Sequence, residues 1–264
     1  MINTSQNQSE SSLPAQRREH IVSLCNEWRF ARVADLAEAL GSSIPTIQRD
    51  LAELDDRGRI RRVRGGAMAT AASAMPVPVD QRTTHNVDAK RMIGQAAAEQ
   101  LASPGLIFLG SGTTVLAVAE HLDPVRHQKS LFVTNAYPVA RHLAARNLGH
   151  LLLPGRLITS VEATVGDYAI DMLQSYTFDV AIIGFQGISA EKGLTDADAF
   201  EALLKSRAIA QSRTVIGVAD ASKWETAAPA RICSLTGLSK FVTDKLPARF
   251  RKTVSQIDVV RARQ

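Results

Sequence analysis

Residues 43–67 read SIPTIQRDLAELDDRGRIRRVRGGA, and the way this stretch folds decides what the N-terminal part of the chain is. Ile47, Leu51 and Leu54 recur at steps of four and three, the spacing of one helical face. Ser42 or Ser43 can cap that helix, and Pro45 suits its first turn, where a missing N–H costs nothing. Thr46, Gln48, Arg49 and Glu53 are then left facing outward or along the edge. Gly58 ends the helix, and five arginines fall within the eight residues 57–64. In RIRRVRGG (59–66) the apolar members are Ile60 and Val63. That pattern predicts a two-stranded wing presenting Arg59, Arg61, Arg62 and Arg64.

Upstream, a first helix spans Ala15 to Trp28, with Ile21, Leu24, Cys25 and Trp28 on its apolar side. A second, RVADLAEAL (32–40), aligns Val33, Leu36, Ala37 and Leu40, and Gly41 turns the chain after it. A short helix, a glycine turn and a helix with a polar outer face form a helix-turn-helix. Arginine can reach guanine edges or phosphate, and glutamine can pair with adenine in the major groove. The basic ribbon would hold the phosphate backbone beside the reading helix. A plain three-helix domain with a solvated charged surface would share much of this pattern. Asp35, Glu38, Asp50, Glu53, Asp55 and Asp56 also offset most of the positive charge. Clustering of the arginines on the wing favours double-stranded DNA as partner, with Ser43, Thr46, Gln48, Arg49, Arg59, Arg61, Arg62 and Arg64 as contacts.

The chain has 264 residues, enough for two domains, with 45% hydrophobic and 22% charged residues. Its net charge of +5 permits nucleic-acid binding without requiring it. Cys25 and Cys233 lie far apart, and the six histidines show no ligand spacing, so no disulfide, metal or cofactor is expected. The polar N-terminus lacks a signal-peptide core, and no apolar run approaches the roughly 20 residues that span a bilayer. A cytoplasmic protein with no membrane association is expected. Composition divides it into a disordered tail (1–14), a winged helix-turn-helix domain (15–68), a linker (69–80) and an α/β domain (81–264). The linker lies in AMATAASAMPVPVD (67–80), where alanines and two prolines favour extended chain.

Beyond the linker, short apolar runs alternate with helical patterns. The runs are LIFLG, LFVTN, HLLLPG, FDVAIIG, TVIGVAD and KFVTD. Helices are expected around 88–102, 114–122, 137–146, 167–175 and 198–211, and the tail predicts a last helix end and an edge strand. Such alternation argues for a mainly parallel sheet covered by helices, an α/β fold. In LIFLGSGTTVLAVAEHL a strand ends at Gly110, Ser111, Gly112, Thr113 and Thr114 make a turn, and a helix begins. Free N–H groups and hydroxyls at a helix N-terminus make an anion site. Small polar residues also cap helices for structural reasons alone. Other strand-end candidates are Asn135, Gln186, Asp220 and Lys223. Glu201 and Lys205, four apart on one helix, suit either a simple ion pair or a ligand contact.

PTIQRDLAELDDRGRIRRVRGGA resembles the N-terminal signature of DeoR-type transcriptional regulators, approximately T-I-R-R-D-L-x-x-L, a glycine and a basic wing ending in H-G-G. Thr46, Ile47, Arg49, Asp50, Leu51, Leu54, Gly58, Gly65 and Gly66 match; Gln48 and Arg64 depart from it. GSGTTVLAVAEHL, VTNAYPVA, FDVAIIGFQGI, GLTDADAFEALLKSRAI and VADASKW resemble the family's effector domain in order, from about 79 to 245. The resemblance implies a C-terminal domain like ribose-phosphate isomerases that binds a small phosphorylated metabolite. It implies a repressor of a carbohydrate catabolic operon, acting as a homo-oligomer (dimer or tetramer). It also favours placing Lys205 on the ligand. Gly110 and Gln186 stand where many relatives carry Asp, and both replacements remove ionisable groups. Catalysis is therefore not expected. The rival readings are a sugar-phosphate isomerase-like enzyme with a helical appendage and a protein-binding adaptor.

Overall fold

The computed structural model describes residues 14–28, 30–63, 65–69, 84, 86–101, 104–252 and 254–262. The chain forms two compact units, Met1–Val77 and Pro78–Gln264. Residues 1–13 of the expected tail and nearly all of the expected linker lie outside the described residues, and Pro14, expected in the tail, is the first residue of the first helix.

The first unit runs α1 (Pro14–Trp28), β1 (Phe30–Arg32), α2 (Val33–Ala39), α3 (Ile44–Asp56), β2 (Ile60–Val63) and β3 (Gly66–Ala69). The three helices enclose Ile21, Val22, Cys25, Leu36, Ile47, Leu51 and Leu54, with Ala31, Ile60 and Ala67 from the strands completing the core. The wing has three strands, not the two expected, in the order β1-β3-β2. β1 pairs antiparallel with β3 from Phe30 opposite Met68 to Arg32 opposite Gly66. Arg32, read as the start of the second helix, belongs to this strand, and α2 begins one residue later. Three residues are too short to show a period of two, so the neighbouring helical pattern masked the strand.

The second unit opens with α4 (Val87–Glu99), β4 (Leu106–Leu109), α5 (Thr113–Glu120), β5 (Leu131–Thr134), α6 (Tyr137–Ala145) and β6 (His150–Leu152). β7 (Arg156–Ile158), β8 (Ala163–Val165), α7 (Asp167–Gln174), β9 (Phe178–Gly184), β10 (Gly187–Ser189) and β11 (Gly193–Asp196) follow. α8 (Ala199–Ala210), β12 (Ser212–Val218), β13 (Ala230–Cys233), β14 (Lys240–Thr243) and β15 (Asp258–Arg261) complete it. Seven strands make one sheet in the order β15-β14-β12-β9-β4-β5-β6, with every neighbouring pair parallel. All six expected strands and the edge strand are present. The expected last helix end is only a 3₁₀ turn, Ala248–Phe250.

Alternation along the strands sends Phe108, Ala181, Ile183 and Phe241 to one core, with Leu173 and Ala208 of the covering helices. Ile107, Leu109, Ile182 and Val242 go to the other, with Ile93, Val115 and Leu143. Burial on both faces explains why FDVAIIG reads as a continuous apolar run. A hairpin β7-β8 and a small antiparallel sheet β10-β11-β13 lie outside the main sheet.

β4 lies inside the large sheet, between β9 and β5. The chain winds from it outward through β5 and β6, then returns to build β9, β12, β14 and β15 on its other side. Winding therefore reverses between β4 and β9. In open parallel sheets the crevice beyond the carboxyl ends at that reversal is where ligands bind.

Candidate functional site

In the first unit Ser43 is the N-cap of α3, and its Oγ accepts the Thr46 N–H at 3.3 Å. Burial of Ile47, Leu51 and Leu54 fixes the rotation of α3 and leaves Gln48 and Arg49 exposed and Thr46 half-buried. Asp50 turns inward. Its carboxylate accepts from Arg17 Nε at 2.6 Å and from Arg18 Nε at 3.0 Å, tying α1 to α3. In the sequence Asp50 stands out as a charge offset and as a match to the family signature, with no structural role assigned to it. Its spacing of three from Ile47 was the available sign that it faces inward. Asp50→Asn weakens two charge-assisted bonds and is expected to cost about 2 kcal/mol of first-unit stability. Denaturant melting of the intact chain measures this, and an unchanged first-unit transition contradicts the anchoring role.

On the wing, Arg61 and Arg62 are exposed. The Arg62 N–H donates to Asp55 Oδ1 at 3.0 Å, holding the ribbon against the end of α3. Arg61 stands opposite Met68, which stands opposite Phe30, so the three share one outer face. Arg59 does not project freely as expected: its guanidinium donates to both Glu19 oxygens, at 3.2 and 2.9 Å. An exposed pair of this kind contributes about 0–1 kcal/mol and can exchange for a phosphate. Arg64 lies outside the described residues.

In the second unit the β4–α5 turn stands at the sheet's reversal. Gly112, the N-cap of α5, has φ 118, a conformation that favours glycine, and Thr113 and Thr114 open the helix behind it. At Gly184, the end of β9, a Cβ would lie 3.1 Å from both Ser111 O and Val115 Cγ2. Glycine there lets β9 close against the turn.

Beneath the turn lies a buried polar network. Ser111 Oγ donates to Glu201 Oε2. Asn135 Nδ2 donates to Glu201 Oε1 at 2.8 Å and to Thr164 O at 3.1 Å. Lys205 Nζ lies 3.2 Å from Glu201 and 2.7 Å from Asp196 Oδ2, with all three residues buried. Burial alone would push the Lys205 ammonium down. The Asp196 and Glu201 carboxylates overcome that and hold it above its ordinary value, so it is charged at neutrality. Glu201 and Lys205 are thus an ion pair, buried within a larger network. Asp198 caps α8 by accepting from Phe200 N and Glu201 N at 2.8 and 3.0 Å. Asp196 is thereby left to Lys205. It was missed in sequence, although a cap needs only one of the two aspartates in TDADAF.

Asp220, at the end of β12, anchors a second group. Its Oδ1 accepts from Ser222 N at 2.9 Å and from Asn86 Nδ2 at 3.2 Å. Burial alone would raise this carboxyl. Lys223, the Ser222 hydrogen bonds and Lys90 outweigh it and hold the group below its ordinary value. Asn86, beside the start of α4, is a member that no sequence signal marked. Gln186 lies between β9 and β10, with its N–H donating to Thr195 O at 3.0 Å and its carbonyl accepting from Thr226 Oγ1 at 3.2 Å. Among the described residues four buried side-chain polar atoms have no hydrogen-bond partner, His142 Nε2, Trp224 Nε1, Asn135 Oδ1 and Asp220 Oδ2, and the last two lie at strand ends of the large sheet.

No group of three or more His, Cys, Asp or Glu suited to a metal ion occurs among the described residues. No helix among them is long and apolar enough to cross a membrane. His127 is a packing residue against Phe132, with Nδ1 3.3 Å from Ser130 Oγ.

The DeoR-like helix-turn-helix domain model matches residues 17–72, and the DeoR C-terminal sensor domain model matches residues 85–245. The HTH-type transcriptional regulator GlpR of Haloferax volcanii is 33% identical over 88% of this chain and 90% of its own length. The glycerol-3-phosphate regulon repressor of Escherichia coli is 30% identical over 88% of this chain and 91% of its own. Ribose 5-phosphate isomerase A of Neisseria gonorrhoeae superposes with a TM-score of 0.39 at 17% identity, covering 52% of this chain and 53% of that one. A helix-turn-helix with a basic wing in the first unit and a sheet with a polar network at its reversal in the second thus coincide with two family models covering most of the sequence. The chain belongs to the DeoR family of helix-turn-helix, DNA-binding transcriptional regulators.

Proposed function

We propose that this regulator represses a carbohydrate catabolic operon and releases it when a small phosphorylated sugar-like metabolite binds the second unit. The observation carrying the sensor half is the pair of buried, unpartnered acceptors, Asn135 Oδ1 and Asp220 Oδ2, at strand ends of one sheet. An unsatisfied buried acceptor costs about 1–3 kcal/mol, which a hydroxyl-bearing ligand offsets. The charged Asp220 repels phosphate, so the hydroxyl end lies toward it. The phosphate lies on Ser111, Gly112, Thr113 and Thr114. Gln186, Lys223 and the Glu201–Lys205 pair complete the site.

The same geometry argues against turnover. Isomerisation needs a carboxylate free to take a proton from a sugar carbon. Glu201 is held by Ser111, Asn135 and Lys205, and Asp196 by Lys205. Gly110 and Gln186 offer no proton acceptor of that kind, and Asp220, which does keep an oxygen without a partner, is held below its ordinary carboxyl value and is a weak base. The protein is then a cytoplasmic sensor, oligomeric because a two-fold operator matches a two-fold protein. The reader occupies 14–68, the linker 69–80 and the sensor 81–264, with residues 1–13 a tail.

Thermal shift of the intact protein across phosphorylated and unphosphorylated sugars tests the sensor. A phosphorylated member should raise the melting temperature more than its unphosphorylated counterpart. No shift with any member, or turnover of one, contradicts the reading. For the reader, Thr46, Gln48 and Arg49 face the bases, with Ser43 at the helix start beside the backbone. Gln48→Ala or Arg49→Ala is expected to change which duplexes are recovered from a random pool, at about 1–3 kcal/mol per lost base contact. Recovery of the same sequences with uniformly weaker binding would move these residues to the phosphate backbone.

A further inference from the structure

Helix α8 has two working sides. Glu201 and Lys205 face the buried network, while Phe200 and Leu203 face solvent at 50% and 42% exposure. Beside them stand Tyr168 and Met172 of α7, at 79% and 36%. These elements adjoin: α7 packs on α8, both pack on β8, β8 pairs with β7, and the Arg156 guanidinium lies 4.9 Å over the Phe200 ring. Four large apolar side chains on one face are more than scattered surface residues.

We propose that this face, formed by β7, α7 and the outer side of α8, is where a second copy of the chain docks about a two-fold axis. Helix α8 then carries the effector network on one side and the subunit contact on the other. The charges on the page select a second copy over another partner. The face displays two exposed cations, Arg156 and Arg207, and two exposed anions, Asp167 and Asp171. A two-fold contact brings a patch against itself and must be self-complementary, which equal numbers of both signs satisfy. A face meant for a basic or an acidic partner would carry one sign.

The area also fits. At these exposures the four side chains offer from roughly 70 Å² (Met172) to about 160 Å² (Tyr168), about 400 Å² per protomer. A standard interface buries about 800 Å² per partner, roughly 60% of it apolar, which is ~480 Å².

Docking stands on the surface alone; the coupling through α8 rests on the effector site proposed above. A ligand that shifts Glu201 or Lys205 moves the helix presenting Phe200 and Leu203. Subunit geometry, and with it the spacing of two readers, then follows effector occupancy.

Sedimentation velocity of the intact chain tests docking. The wild type should sediment as a dimer or larger. Tyr168→Glu with Leu203→Glu should lower the mass at least two-fold at micromolar concentration, while the control Val125→Glu, 83% exposed, should leave it unchanged. If the double variant misfolds, Tyr168→Glu alone is decisive, since so exposed a side chain has little to lose in the isolated fold. A monomeric wild type, or variants that keep the wild-type mass, overturns the proposal. With glycerol 3-phosphate and pentose 5-phosphates as probes, a thermal shift in the variants without any change in operator affinity supports coupling through α8. An effector response retained by a dissociated variant overturns it. No thermal shift in an assembled wild type would defeat the effector site and leave the docking face standing.

Discussion

Replacing Arg61 and Arg62 together with alanine lowers affinity for every duplex by about 10- to 100-fold, whatever its sequence, and leaves the preferred sequence unchanged. Both side chains are exposed on β2, and the Arg62 backbone is fixed to Asp55 at the end of the reading helix. Each guanidinium that meets a phosphate releases condensed counterion, so the double variant should also lose roughly 2 from the slope of log affinity against log salt. Titration of labelled duplexes at several salt concentrations reads both effects. A variant that shifts sequence preference while keeping the salt slope would place the wing on base edges.

Lys205→Met is expected to destabilise the second unit by about 3–5 kcal/mol and to abolish effector binding. The lysine is buried between Asp196 and Glu201, so its removal leaves two carboxylates with no cation between them. Lys205→Met with Glu201→Gln removes one of those charges and should recover part of the loss. Denaturant unfolding of the intact chain measures both; a single variant as stable as wild type contradicts the network's role. A group whose folded pKa lies above its unfolded one stabilises fully below the unfolded value and loses that contribution as pH rises through the folded one. For Lys205 that loss begins only above its ordinary 10.5. Asp220 behaves oppositely: its contribution is present above 3.8 and is lost as pH falls through its lower folded value. Between these limits neither group changes charge, so neither confers pH dependence on the sensor near neutrality.

Much of this architecture was legible in the sequence because its larger elements carry their own periodicity. The apolar face of α3 fixes which residues point outward, and strands buried on both faces announce themselves as unbroken apolar runs. What escaped has two physical causes. β1, β7, β8 and β10 have three residues each, and β11 and β13, with four, are broken by polar residues, so none shows the alternation or the unbroken apolar run that marks a strand. Buried polar partners depend on tertiary contacts that spacing does not encode. Asn86 meets Asp220 across 134 positions, and Asp50 meets Arg17 across 33. Asp196, only nine residues from Lys205, came closest to being readable, because Asp198 had already accounted for the helix cap. Arg59 shows the reverse case: a residue whose type suited phosphate is held by Glu19 of α1.

One measurement weighs the central claim, that a basic wing and reading helix hold DNA under control of an anion-sensing sheet. It is the affinity of the intact protein for a duplex selected from a random pool, determined at low and physiological salt with and without a phosphorylated sugar. Tight binding that falls steeply with salt, and falls further when the phosphorylated sugar is present, is the predicted result. A folded protein that prefers no duplex at low salt, with or without such a metabolite, contradicts it.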